Sequence, residues 1–129
     1  MAKRRRSIEI AGVRHNAPIP MGARIDTIVW SSAIQGMDPA TGLVPDDGIE
    51  QVKFAFANLG AFLDAAGVSY DDVVRVTVHL SEPSLRDEVN RYWLEIYPDE
   101  HDRPARHALN LTLNNNMLVQ LEVFAVAPA

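Results

Sequence analysis

The sequence predicts an α+β domain, a mixed β-sheet with two helices packed on one of its faces. Three observations predict it. Two stretches carry the 3.6-residue apolar period of amphipathic helices, and several others carry the two-residue alternation of strands. The two kinds are interleaved, in the order ββ-α-β-α-ββ. A chain of 129 residues, 47% of them hydrophobic, suits one domain over 1–129 with one core.

Each element follows from local chemistry. "SIEIAGV" (7–13) alternates and reads as an edge strand, and "HNAPIPMGAR" (15–24), with two prolines and a glycine, reads as a loop. "IDTIVWSSAI" (25–34) is β-branched and aromatic at its centre, which favours a strand. Asp38–Pro39 and Thr41–Gly42 supply turn chemistry in "GMDPATGLVPDD" (36–47). The clearest helix is "GIEQVKFAFANLGAFLDAAG" (48–67), where Val52, Phe56, Leu59, Phe62, Leu63 and Ala66 share a face. Gly67 suits the position that ends it, while Gly60 costs about 1 kcal/mol against alanine and allows close packing of the helix on a sheet.

Val73–Leu80 is expected to be a strand with Val74, Val76 and Val78 on one face and Arg75, Thr77 and His79 on the other. "SEPSLRDEVNRYWLEIY" (81–97) is a second helix, with Ser81 or Ser84 as cap, Pro83 in its first turn and an apolar stripe at Leu85, Val89, Tyr92, Trp93 and Ile96. "PDEHDRP" (98–104) is a polar turn. "RHALNLTL" (106–113) and "MLVQLEVFAVA" (117–127) are expected to form a hairpin through Asn114–Asn116. The sheet face away from the helices needs a cover, and another subunit supplies one.

Composition excludes several classes. There is no cysteine, hence no disulfide, thiolate nucleophile or zinc–thiolate site. No apolar run reaches the ~20 residues that span a bilayer. "MAKRRRSIEI" has no apolar segment behind its basic cluster, so no secretory signal is expected, and a cytoplasmic setting fits. Net charge is −5, and Lys3 to Arg6 contribute +4 of it, leaving −9 on the body. An acidic body with a short basic tip is a poor design for following phosphate backbones. Residues 1–7 read as a flexible, solvated terminus, with an RNA contact as the alternative.

The residue that demands an explanation is Arg106, in "RPARHALNLTL" (103–113), at the mouth of a strand. A guanidinium is costly to bury unless its donors meet an anion in matching geometry. Either a fixed acid, such as Glu122 or an aspartate of another subunit, or a carboxylate ligand should meet it.

From about Asn16 to Ala127 the chain resembles the RidA/YjgF/UK family, also called L-PSP endoribonucleases or translation inhibitors. The resemblance rests on "NAP" (16–18), "SSA" (31–33), "MDPATGLVPDD" (37–47), "NLGAFLDAAGVSYDDVVRVTVHL" (58–80), "VNRYW" (89–93), "RPAR" (103–106) and "LEVFAVA" (121–127). It implies a chorismate-mutase-like fold, a homotrimer with clefts between subunits, and cofactor-free, metal-free hydrolysis of reactive enamines and imines to 2-keto acids and ammonia. It also implies that Arg106 binds the substrate carboxylate, that Ser32, Ala33 and Ala108 contribute backbone contacts, and that Asn90 reaches a neighbouring subunit's cleft. A polar place on the helix surface is the other reading of Asn90.

The sequence departs from the family pattern at the chemistry. Where the family has a carboxylate that holds water, this chain has Gln120, which orients water but does not accept a proton near neutral pH. Glu122 points to the same side of the strand, about 7 Å along, and either substitutes for it or does structural work. His107 follows the arginine but turns to the opposite face, as a surface or interface histidine or as an acid–base group. The family's tyrosine loop is replaced by "MGARID" (21–26), which puts Arg24 near the tyrosine position and would favour a second acidic group on the substrate; a solvated loop arginine is the alternative. The family's serine–glycine pair becomes Ser32–Ala33, strained if Ala33 must take positive φ.

Three functions follow. The first is an enamine/imine deaminase, a hydrolase with Arg106 as clamp and water held by Gln120 or Glu122. The second is a carboxylate-binding or regulatory protein that hydrolyses weakly or not at all. The third is RNA cleavage, against which the acidic charge and the scattered His15, His79, His101 and His107 argue.

Overall fold

The computed structural model describes residues 3–129. One mixed sheet carries β1 (Arg5–Ile8), β2 (Gly22–Ile25), β3 (Ile28–Ser31), β4 (Ile34–Gln35), β5 (Val73–Leu80), β6 (Ala105–Asn110) and β7 (Val119–Val126), with helices α1 (Gly48–Ala66) and α2 (Arg86–Ile96) between strands. The strand order is β1-β2-β3-β7-β5-β6, with β4 also paired to β7. All neighbours are antiparallel except β5 and β6, which α2 connects as a parallel crossover.

The buried face of the sheet shows the expected alternation. Val119, Leu121, Val123 and Ala125 of β7 and Val76, Val78 and Leu80 of β5 are fully or nearly fully buried beneath α1. Val52, Leu59, Phe62 and Leu63 of α1 join them in a single cluster, and Phe56 stacks on Tyr92 where the two helices meet. Asp47 caps α1, and Gly67, at φ 78°, ends it in the left-handed region. No helix is long and apolar enough to cross a membrane among the described residues.

The structure corrects several local expectations. Residues 22–24, placed in a loop, belong to strand β2, and the strand expected from Ile25 onward is broken at Asp26, whose left-handed conformation lets the chain reverse directly into β3. Arg5–Ser7, expected in a flexible tip, pair with β2, and Met1 and Ala2 lie outside the described residues. β6 and β7 form no hairpin, because β5 lies between them. The connection 111–118 is long enough to cross one strand, which lets the most apolar strand, β7, take the interior of the sheet. Neither serine caps α2: Ser81 donates to the Met117 carbonyl and Ser84 to Glu82. A register shift between Val73 and Arg75 turns Val74 out, 46% exposed, so it does not share a face with Val76. Gly60 makes room for the Tyr70 hydroxyl rather than for the sheet, since a Cβ there would lie 2.6 Å from it.

The opposite sheet face is uncovered in the single chain. Ile28 and Trp30 of β3 are 50% and 54% exposed beside Phe124 and Val126 of β7. Trp30, Val74, Arg75, Thr77, Glu122 and Phe124 line a concavity of about 370 Å³ there.

Candidate functional site

The candidate site lies at the corner where edge strand β6 meets α2. Pro104 stands just before the strand, where no ladder donor is needed. Arg103 fixes the preceding turn by donating to the Tyr97 and Pro98 carbonyls. Parallel register pairs Arg106 with Val76 and Ala108 with Val78, so both residues project on the helix face.

Arg106 meets α2 there. Its Nη2 donates to Asn90 Oδ1 at 2.7 Å, and its guanidinium lies 5.0 Å from the centre of the Trp93 ring. Its Nη1 is buried and has no partner. No acid lies within ion-pair distance among the described residues, so the fixed acid expected as one alternative is not supplied by Glu122 or by any aspartate of the same chain. Burial, and then the like charge of Arg86, lower its pKa from the ordinary arginine value. The geometry fits a cation held in place by one neutral acceptor, with a further donor that no group of the chain satisfies.

The other expected residues are divided between this corner and distant places. Asn90 and Ala108 stand with Arg106. Gln120 and Glu122 project on the uncovered face, opposite His79 and Thr77 in the antiparallel register. Gln120 contacts Met117 Sδ at 3.2 Å, and Glu122 accepts from the Trp30 indole at 3.0 Å. They therefore do not meet Arg106 within one chain. Next to Gln120 in the register is Gln35, whose Oε1 is buried without a partner.

Ser32 donates its N–H to the Met21 carbonyl at 2.8 Å, so that donor is already engaged. Ala33 is free of the strain feared for it: the non-glycine positive-φ positions among the described residues are Asp26 and Asn115. Arg24 lies on β2, four strand spacings or about 19 Å from β6. It donates to the Ala66 carbonyl at 2.8 Å and to the Asp26 carbonyl, closing the C-terminal end of α1, and does not meet Arg106 within one chain. His107 faces away from Arg106, as alternation requires, and lies 3.3 Å from Arg75 through Nδ1. Among the described residues no three His, Asp or Glu side chains are grouped to hold a metal.

Two residues of the corner were not singled out from the sequence. Trp93 was assigned to the apolar stripe, which it also serves. Arg86 went unremarked, although its i,i+4 relation to Asn90 places both on one face of α2.

Residues 18–127 match the family model described as Endoribonuclease L-PSP. The chain belongs to this family. Its RidA-type relatives include the 2-iminobutanoate/2-iminopropanoate deaminase of Mus musculus, 32% identical over 84% of this chain and 81% of the mouse protein. A RutC family protein of Aquifex aeolicus is 28% identical over 85% of this chain and 93% of its own. Among solved structures, a probable translation initiation inhibitor from Rhodopseudomonas palustris superposes with a TM-score of 0.86 at 26% identity, covering 97% of this chain and 99% of the other.

Proposed function

We propose that the protein is an enamine/imine deaminase that hydrolyses a reactive 2-imino acid to a 2-keto acid and ammonia. The observation that carries this reading is the buried, unpartnered Nη1 of Arg106 beside an Nη2 that Asn90 holds in place. Together they present a planar fork to a carboxylate. Neutralising that carboxylate favours attack of water on the adjacent C=N carbon. The C–O bond forms, the C–N bond breaks and ammonia leaves; no cofactor is required. The substrate is intrinsically reactive, so positioning and charge neutralisation supply most of the acceleration.

The water-holding groups come from a second copy in this reading. Gln120 and Glu122 lie two strands from Arg106 and on the opposite face, so one chain alone cannot bring them to the same substrate. Association through the uncovered face, with Ile28, Trp30 and Val126 exposed, supports a homotrimer with composite clefts. A second reading, carboxylate binding without efficient hydrolysis, is favoured by Gln120 in place of a proton acceptor and by the Trp30 hydrogen bond on Glu122.

The test is release of ammonia and keto acid from 2-aminoacrylate generated in situ, with Arg106→Ala beside the parent and sedimentation to fix the assembly. Fast release lost in the variant supports the deaminase. No release by a well-folded trimer sinks it and leaves the binding reading.

A further inference from the structure

The corner holds a second cation that the reaction as described does not use. Arg86 opens α2, is exposed, and makes no hydrogen bond or ion pair among the described residues. Its helical neighbours at i+4 and i+7 are Asn90 and Trp93, the two side chains that hold Arg106. One face of α2 therefore aligns Arg86, then the acceptor that anchors Arg106, then the ring beneath its guanidinium. Cβ atoms four residues apart on a helix are about 5–6 Å from each other, so a long arginine at 86 reaches the space above Asn90. Burial first, and then the like charge of Arg86, lower the pKa of Arg106, in keeping with that placement.

No acid forms an ion pair with it among the described residues. Glu88 is engaged by Arg91, and Glu82 is held by Ser84. Two like charges placed at one corner, neither in an ion pair among the described residues, repel each other, and a ligand bearing two negative groups relieves that repulsion.

We propose that Arg86 forms a second carboxylate subsite beside Arg106, making dicarboxylic 2-imino acids the favoured substrate class. This rests on the deaminase reading and sharpens it. The second cation foreseen at Arg24 is thus supplied from a different element. Arg106 takes the carboxylate next to the C=N bond, and Arg86 takes the distal one. The reaction balances as before: water adds, the C=N bond is replaced by C=O, and ammonia departs.

The test compares 2-iminoglutarate with 2-iminopentanoate, each made in situ by an amino-acid oxidase from glutamate or norvaline. The two have the same chain length and differ in the distal carboxylate. The parent should show the higher kcat/KM on the dicarboxylate, chiefly through KM. Arg86→Gln should reduce the ratio of the two kcat/KM values roughly fivefold, the upper range for an exposed charge pair. A ratio near one in the parent, or one unaltered in Arg86→Gln, overturns the subsite. The deaminase reading survives that result if Arg106→Ala abolishes hydrolysis of both. If the parent hydrolyses neither, the deaminase reading fails, and calorimetry with glutarate and pentanoate judges the subsite alone. Tighter glutarate binding that Arg86→Gln removes upholds it; equal binding or none rejects it.

Discussion

At the C-terminal end of α1, Arg6 and Arg24 turn their guanidinium groups onto the Ala65 and Ala66 carbonyls. At the β6–α2 corner, Arg106 stands over a neutral amide and an aromatic ring with one buried donor unspent, and Arg86 opens the helix that carries both partners. Both regions gather two arginines, but only the first supplies enough fixed acceptors for them. A helix end offers up to four unpaired carbonyls, so cations there complete the fold. Where the chain supplies fewer acceptors than a half-buried guanidinium needs, a ligand or partner is the natural source of the rest.

The comparison breaks most visibly at Arg106. Arg106→Ala should lower kcat/KM on the 2-imino acid by roughly 30- to 5,000-fold, the ~2–5 kcal/mol typical of removing one partner of a buried charge pair. Thermal stability should change little, since the lost contacts are one hydrogen bond and one ring contact. A large loss of stability with intact activity would place Arg106 with Arg24 as a structural cation.

Asn90→Asp sharpens the same point from the other side. It sets a carboxylate within hydrogen-bonding distance of Nη2 and gives Arg106 the fixed acid it lacks. KM should rise about tenfold while the fold is retained, because the new ion pair competes with the substrate carboxylate. Unchanged KM in steady-state kinetics would count against a carboxylate clamp.

Much of this architecture was legible in the sequence because it is set locally. The period of α1, its Gly67 stop, and the alternation of β7 all depend on residues within a few positions of each other. Arg106 was legible too, since its cost at a strand mouth does not depend on topology. What failed depended on distant pairing. Nothing within 106–127 reveals that β5 inserts between β6 and β7. Arg24 was set near the tyrosine position by counting forward along the chain, and its acceptor within the chain, the Ala66 carbonyl, is 42 residues away, a contact no local pattern reveals. The face assignment of Val74 failed at a bulge that alternation cannot foresee. Arg86 was within reach: the i,i+4 spacing to Asn90 is a local signal, overlooked because the apolar stripe of α2 drew the reading.

At the first corner, Arg24→Ala should lower stability by about 1 kcal/mol, or about 4 °C in Tm, by removing the hydrogen bond to the α1 terminus. Its kcat/KM should stay within twofold of the parent. Calorimetry and kinetics on one preparation give both numbers, and a selective loss of activity would return Arg24 to the cleft.

The smallest effect is expected between the corners, at Tyr97, which ends α2 and leads toward β6. Its hydroxyl donates to the Tyr70 carbonyl at 2.9 Å, and it is 6% exposed. Burial, reinforced by Tyr70 and Asp71, raises its pKa above the ordinary value of 10. The unfolded chain therefore ionises first as pH rises. The stability this tyrosine contributes is complete below about pH 10 and is lost progressively above it. Tyr97→Phe leaves the Tyr70 carbonyl without that donor and should cost about 1 kcal/mol at neutral pH. It also removes one ionising group, so stability should fall less steeply with alkali than in the parent. Urea unfolding at pH 7 and at pH 10.5 distinguishes the two effects: a variant equally destabilised at both values would mean that the phenol acts by packing alone.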